Sequence, residues 1–174
     1  QGGRARICSH ASCAHLVFPR VDPAVLVMAV HGDTCLLGRS AAWPQNMYSV
    51  IAGFVEPGET MEQAAIRELL EETDISSTDP VYQGSDPWPF PTSLMVGFRV
   101  RALSTKIELR DQELEDAAWF SRQDIAEGLA SGDLFMPLSR SLSFSLLEAW
   151  FDKGDGPRLK ELTAPLQTGN PPPG

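Results

Sequence analysis

The sequence predicts an α+β layered domain, and three observations carry that expectation. The apolar run Ala24-Val-Leu-Val-Met-Ala-Val30 reads as a buried strand. Ser93 to Ala102 alternates apolar and polar residues over its second half, as a half-buried strand does. Apolar residues recur at helical spacing after Thr60 and again between Ser139 and Phe151.

His31-Gly-Asp33 reads as a turn that leads Ala24–Val30 into a hairpin partner, Thr34-Cys-Leu-Leu37, which makes Cys35 a core residue. Tyr48 to Ala52 reads as a strand delivering Gly53. Thr60 followed by Gln63, after the turn at Pro57-Gly58, is a capping-box pattern, so a helix is expected over 61–73. Pro80 to Gln83, Ser93 to Ala102 and Ala117 to Phe120 read as strands. Arg122 to Leu129 and Ser139 to Phe151 read as helices, the latter carrying Leu142, Leu146, Leu147 and Trp150 on one side. Between two strands, Ser85-Asp-Pro-Trp-Pro-Phe-Pro-Thr-Ser-Leu-Met95 is too rich in proline for a helix or a central strand, and is expected to form a stiff loop. Residues 152–174, ending Pro171-Pro-Pro-Gly174, read as a disordered tail.

Composition narrows the function classes. At 174 residues with 43% hydrophobic content, one domain with a real core is the default. There is no apolar run of membrane-spanning length and no signal-peptide pattern, so the plain expectation is a cytoplasmic protein; opening at Gln1, the chain reads as a fragment or an excised domain. A net charge of -9 argues against an extended nucleic-acid footprint, which needs a basic stripe. An anionic substrate must then be met by metal and local arginines.

The predicted helix supplies the means. Glu68, Glu71 and Glu72 stand at i, i+3 and i+4, and like charges at those spacings destabilise a bare helix by about 0.2–0.5 kcal/mol per pair. Arg67 reaches Glu71 at i+4, but one guanidinium cannot neutralise three carboxylates. Clustered hard oxygen ligands suit Mg2+ or Mn2+, which combine carboxylates with substrate phosphate and water. A divalent metal site is therefore expected here, although a solvated acidic helix face is the commoner use of such runs.

The surrounding residues decide between these. Gly53, Glu59, Arg67, Glu68, Leu69, Glu71, Glu72 and Ile75 fit the pattern G-x5-E-x7-R-E-U-x-E-E-x-G-U, U being apolar, so the stretch resembles a Nudix box. Asp74 stands where that pattern has its second glycine, at the expected C-terminal end of the helix. Asp reaches left-handed backbone geometry more readily than most residues, at some cost. The resemblance implies a Nudix fold, a mixed β-sheet sandwiched between helices, over residues 21–151. It also implies Mg2+ or Mn2+ held by Glu68, Glu71 and Glu72, with Glu59 in support and Arg67 orienting the glutamates.

The proline-rich segment is similar to the S-Q-P-W-P-F-P-x-S-L-M motif of NADH pyrophosphatases, the Nudix branch that cleaves the pyrophosphate of NAD(H); Asp86 replaces the Gln. The likeness extends over about residues 2–151. It implies that Trp88 and Phe90 wall a substrate pocket, that Phe54 stacks on a base or nicotinamide ring, and that Phe18 approaches the partner's site in a homodimer. Glu113 falls where the family has a further acidic metal ligand. For Phe54 the alternative from residue chemistry is a buried strand-end aromatic; for Trp88 and Phe90 it is packing against the loop's own prolines. The implied reaction is metal-dependent hydrolysis of NAD(H) to nicotinamide mononucleotide and AMP. Rival substrates are the 5′ end of NAD-capped RNA, ADP-ribose and other dinucleotides, and a catalytically silent Nudix-fold binding module is the rival from another class.

Residues 1–20 are expected to be the remnant of a zinc ribbon. Cys8 and Cys13, followed by His15, resemble the second half of the ribbon found in many NADH pyrophosphatases. A closed structural zinc site needs four ligands, and the first Cys pair of that pattern would lie ahead of Gln1. His10 or His15 are the substitutes at hand, and the resemblance implies Zn2+ for the full-length protein. A disulfide between Cys8 and Cys13 is disfavoured in a reducing compartment.

Overall fold

The computed structural model describes residues 4–10, 12–110 and 113–164. A short hairpin, β1 (Arg6–Ile7) and β2 (Leu16–Val17), precedes a six-stranded mixed sheet. The sheet comprises β3 (Asp22–His31), β4 (Thr34–Arg39), β5 (Ile51–Phe54), β6 (Ser77–Trp88), β7 (Ser93–Ala102) and β8 (Asp116–Ser121). Its order is β6-β7-β3-β4-β8, with β5 paired to β3. Only β3 and β7 run parallel among these neighbours. The helices are α1 (Met61–Thr73), α2 (Arg122–Ser131), α3 (Leu142–Phe151) and α4 (Leu159–Thr163). Among the described residues no helix is long and apolar enough to cross a membrane.

Alternation along β3 sorts the core into two layers, because successive side chains leave opposite faces of a strand. Val25, Val27 and Ala29 pack with Ala64, Ala65 and Leu69 of α1. Leu26 and Met28 pack with Ile125 of α2, Phe144 and Leu147 of α3, and Leu159 of α4. The sheet is thus sandwiched between helices, as expected of the fold class. Cys35 is fully buried in the second of these layers, where desolvation pushes its thiol pKa up to about 12.

Four expectations need correction. Ser85–Met95 is not a stiff loop: Gly84 to Trp88 pairs with β7 from Ser93 to Gly97, leaving only Pro89–Thr92 as the turn. β6 is an edge strand, so the missing amide of Pro87 breaks no second ladder. The strand predicted from Tyr48 begins at Ile51 and runs through Phe54; Ser49 is held by an isolated bridge to Gly38 of β4, and the Tyr48 amide donates to the Phe135 carbonyl instead. α3 starts at Leu142, because the Ser141 hydroxyl accepts from the Phe144 amide and caps the helix there. The predicted disordered tail contains α4: Leu159 is fully buried, its amide donates to Asp152 at 2.9 Å, and Thr163 is buried beside it. Proline and glycine content hid that anchor. The remainder of the expected tail, 165–174, and residues 1–3 of the expected ribbon remnant lie outside the described residues.

Candidate active site

α1 forms as the sequence dictates. Both arms of the capping box are made: Thr60 accepts from the Gln63 amide, and the Gln63 side chain accepts from the Thr60 amide at 2.8 Å. Ala64, Ala65, Leu69 and Thr73 are buried against the sheet. The helix ends at Asp74, which takes the left-handed conformation (φ 59°, ψ 18°) and donates its amide to the Leu70 carbonyl. Asp thus performs the glycine's capping role, and its carboxylate pairs with Arg110 at 2.7 Å.

The three helix glutamates do not share one solvated face. Glu72 is buried, at 3% exposure, on the layer side of α1, whereas the Glu71 side chain is 56% exposed. Glu68 lies between, against the end of β5. A Cβ built on Gly53 would stand 1.9 Å from the Glu68 carboxyl carbon, so the carboxylate occupies space that any other residue would fill. Burial raises the Glu68 pKa above the ordinary glutamate value; Arg67 opposes this, while Glu71 and Glu113 add to it.

Arg67 is the hub of the cluster. Its guanidinium donates to both Glu59 oxygens (Nε to Oε2 at 3.0 Å, a terminal nitrogen to Oε1 at 2.7 Å), to Glu71 at 2.9 Å and to the Phe54 carbonyl at 2.9 Å, and lies 3.0 Å from Glu68. Glu59 also accepts from the Glu56 amide at 2.8 Å. With its oxygens engaged by Arg67, Glu59 is held well below the usual carboxylate range. These carboxylates raise the Arg67 pKa, with Glu59 the largest cause, so it stays charged.

Hard carboxylate oxygens with one cation among them fit Mg2+ or Mn2+. Among the described residues no three His, Cys, Asp or Glu side chains converge closely enough to hold an ion by themselves. This accords with the way Mg2+ is bound, through one or two carboxylates plus substrate phosphate and water.

Register places the aromatic residues at the same end of the sheet. Ala24 of β3 pairs with Phe54 on one side and Met95 on the other; Met95 pairs with Asp86, and two residues on Trp88 pairs with Ser93, itself opposite Asp22. Paired residues share a face, so Phe54, Asp86 and Trp88 project from one face, and Gly53, against which Glu68 packs, from the other. Phe54 is 59% exposed rather than buried, and Trp88 and Phe90 form an edge-to-face pair with centroids 5.5 Å apart. The turn that carries Phe90 is tied back to β3, the Asp22 amide donating to the Thr92 carbonyl and the Thr92 hydroxyl to the Asp22 carboxylate.

Phe18 is exposed in the segment after β2. Cys8 and Cys13 are exposed thiols at the turn of the β1–β2 hairpin, where the Cys8 amide donates to His15 and the Cys13 amide to His10. Sequence reasoning did not find a polar group at the end of β4: Arg39 pairs with Glu115, and the Tyr48 hydroxyl donates to Asp116. Burial, then Asp116, pushes the Tyr48 pKa up to about 12. These four residues carry no common motif, and only strand pairing assembles them.

Comparison with known proteins shows the family and the fold. The NUDIX domain pattern matches residues 20–137. The chain is 39% identical over 161 residues to the NAD-capped RNA hydrolase NUDT12 of Homo sapiens, covering 86% of the chain and 35% of that protein. It is 42% identical over 146 residues to the NAD-capped RNA hydrolase NudC of Mycobacterium bovis, covering 78% and 47%. The chain thus spans less than half the length of these curated relatives. A crystal structure of a NUDIX hydrolase from Nitrosomonas europaea superposes with a TM-score of 0.67 at 20% identity, covering 86% of this chain and 85% of that one, which shows a common fold.

Proposed function

The chain belongs to the NUDIX domain family, and from that premise we propose that it hydrolyses the pyrophosphate bond of NAD(H), giving nicotinamide mononucleotide and AMP. The 5′ end of NAD-capped RNA carries the same bond and is a second substrate on this reading. The observation that carries it is the placement of Phe54, Trp88 and Phe90 at the sheet end where Gly53 meets Glu68. A planar base or nicotinamide ring would find aromatic surface there, at the same end of the sheet as the α1 carboxylates suited to a diphosphate-bound metal but on the opposite face. The names of the two relatives point to the same substrate class.

Of Glu68, Glu71, Glu72 and Glu113, one or two at a time would hold Mg2+ or Mn2+ together with substrate phosphate and water, with Glu59 in support through Arg67. When bound, the metal supplies charge neutralisation for the diphosphate and lowers the pKa of an attacking water. Arg67 orients Glu59, Glu68 and Glu71, and its bond to the Phe54 carbonyl couples that orientation to the stacking residue. A carboxylate of the group takes the proton from the attacking water. Phe18 approaches the site of a second copy in a homodimer. Cys8 and Cys13 are candidate zinc ligands, two of the four that a closed structural site needs.

Product analysis of the purified chain with NADH and Mn2+, beside ADP-ribose and a Glu72→Gln variant, tests the reading. The expected result is AMP and reduced nicotinamide mononucleotide, metal-dependent, faster than ADP-ribose cleavage and lost in the variant. Faster turnover of ADP-ribose would replace the substrate, and a folded, metal-loaded protein without turnover would overturn the enzyme reading.

A further inference from the structure

The aromatic end of the sheet carries an unbalanced charge. Asp86, Met95, Ala24 and Phe54 form one row across β6, β7, β3 and β5, and paired residues share a face. Trp88 and Asp22 stand in the next row on that same face, each opposite Ser93. The only charged residues in these two rows are the carboxylates of Asp86 and Asp22.

The two carboxylates differ in what they meet. Asp22 is matched locally, by the Arg20 guanidinium and by the Thr92 hydroxyl that donates to it. Asp86 is half-buried, and among the described residues it makes no hydrogen bond or ion pair. Trp88 lies two positions on, about 7 Å farther along β6, where it meets Phe90 edge to face. A ring lying against Trp88 is therefore close to a carboxylate that no cation of the protein already satisfies. That carboxylate distinguishes two forms of one ring, because oxidised nicotinamide is a cation and reduced nicotinamide is neutral.

We propose that Asp86 is a specificity-determining residue that favours the oxidised, cationic nicotinamide ring over the reduced, neutral one. This deepens the function proposed above and rests on it. Trp88 adds to the same preference, since the face of an indole attracts a cation. The bland alternative is that Asp86 only guards an edge strand against pairing with another chain. That alternative predicts a change in self-association and none in substrate choice.

The ratio of kcat/KM for NAD+ to kcat/KM for NADH, measured with Mn2+, separates the two. Opposite unit charges about 7 Å apart, even at the screening of bulk water, attract by enough to change binding about 3-fold. Asp86→Asn and Asp86→Gln should each lower the ratio by about 3-fold or more, chiefly through slower use of NAD+. Asp33→Asn removes the same charge from a fully exposed turn at the other end of β3, and should change the ratio by less than either. An unchanged ratio in a folded Asp86 variant, an equal fall in Asp33→Asn, or an equal loss for both nucleotides overturns the inference while leaving the proposed function standing. A folded, metal-loaded wild-type chain that hydrolyses neither nucleotide overturns both.

Discussion

The carboxylate of Glu68 fills the space where a side chain on Gly53 would begin, 1.9 Å from the position of a Cβ. The strand end and the helix are thereby locked in one register: Gly53 admits Glu68 on one face of β5 while Phe54 leaves from the other.

Gly53→Ala should therefore displace Glu68 with little change elsewhere. A shift of about 1 Å in a positioned group costs on the order of 100-fold in rate. The expected outcome is a kcat for NADH hydrolysis lower by that order with an unchanged far-ultraviolet circular dichroism spectrum; near wild-type turnover would show that Glu68 needs no such seat.

Glu68 also gives the metal-free protein a defined pH response. Its folded pKa is raised, chiefly by burial, so the stability it contributes is complete below the ordinary glutamate pKa and is lost as pH rises through the folded value. Glu68→Gln should then raise the melting temperature at pH 7 in the presence of a chelator, with the gain disappearing towards pH 4. Glu59 has the opposite sign: held low by Arg67, it contributes stability above its unfolded pKa that is lost as pH falls through the folded one. Glu59→Gln should destabilise at pH 7 and converge with wild type in acid. Melting curves across pH 3–8 for both variants check the two signs together.

At the end of α1, Asp74 holds a left-handed conformation that costs most non-glycine residues about 1–2 kcal/mol. Asp74→Gly relieves that strain but loses the Arg110 pair, a partly exposed contact contributing about 0–1 kcal/mol. Urea denaturation should place Asp74→Gly between neutral and about 1 kcal/mol more stable than wild type, and the β-branched Asp74→Val below wild type by more than about 1 kcal/mol.

Leu159 tests whether α4 belongs to the folded unit. It is fully buried with Phe151 and Phe144, and truncating such a residue to alanine costs about 2–5 kcal/mol. Leu159→Ala should show that loss by chemical denaturation, whereas a solvated tail would show none.

The aromatic residues should sort by substrate. Stacking on a base contributes about 1–3 kcal/mol, so Phe54→Ala should raise KM or lower kcat/KM for NADH roughly 5- to 150-fold. Trp88→Ala should reduce the preference for NADH over ADP-ribose, measured as the ratio of their kcat/KM values. An unchanged ratio would place the nicotinamide elsewhere.

Much of this was legible in the chain. The capping box at Thr60 and Gln63, the apolar stripe of α1 and the alternation in β7 are local patterns, and local backbone physics enforces them wherever they occur. Asp74 could be marked as the cap because a single backbone conformation decides that position. The Ser85–Met95 segment misled because proline argues only against a central strand, and sequence does not reveal which strand stands at an edge. Leu159 was hidden for a related reason, one buried leucine among prolines and glycines giving no periodicity.

The sequence by itself determined which residues carry charge and aromatic surface, and in what order: Phe54, Glu59, Arg67, Glu68, Glu71, Glu72, Trp88, Phe90 and Glu113. Only the tertiary structure decided their relations. It buried Glu72, exposed Glu71, made Arg67 the shared partner of Glu59, Glu68 and Glu71, and set Arg39 against Glu115 across 76 positions of chain. Helical spacing is a property of neighbours, but burial and ion pairing across a sheet depend on strand order and register, which arise from how all the strands pair at once.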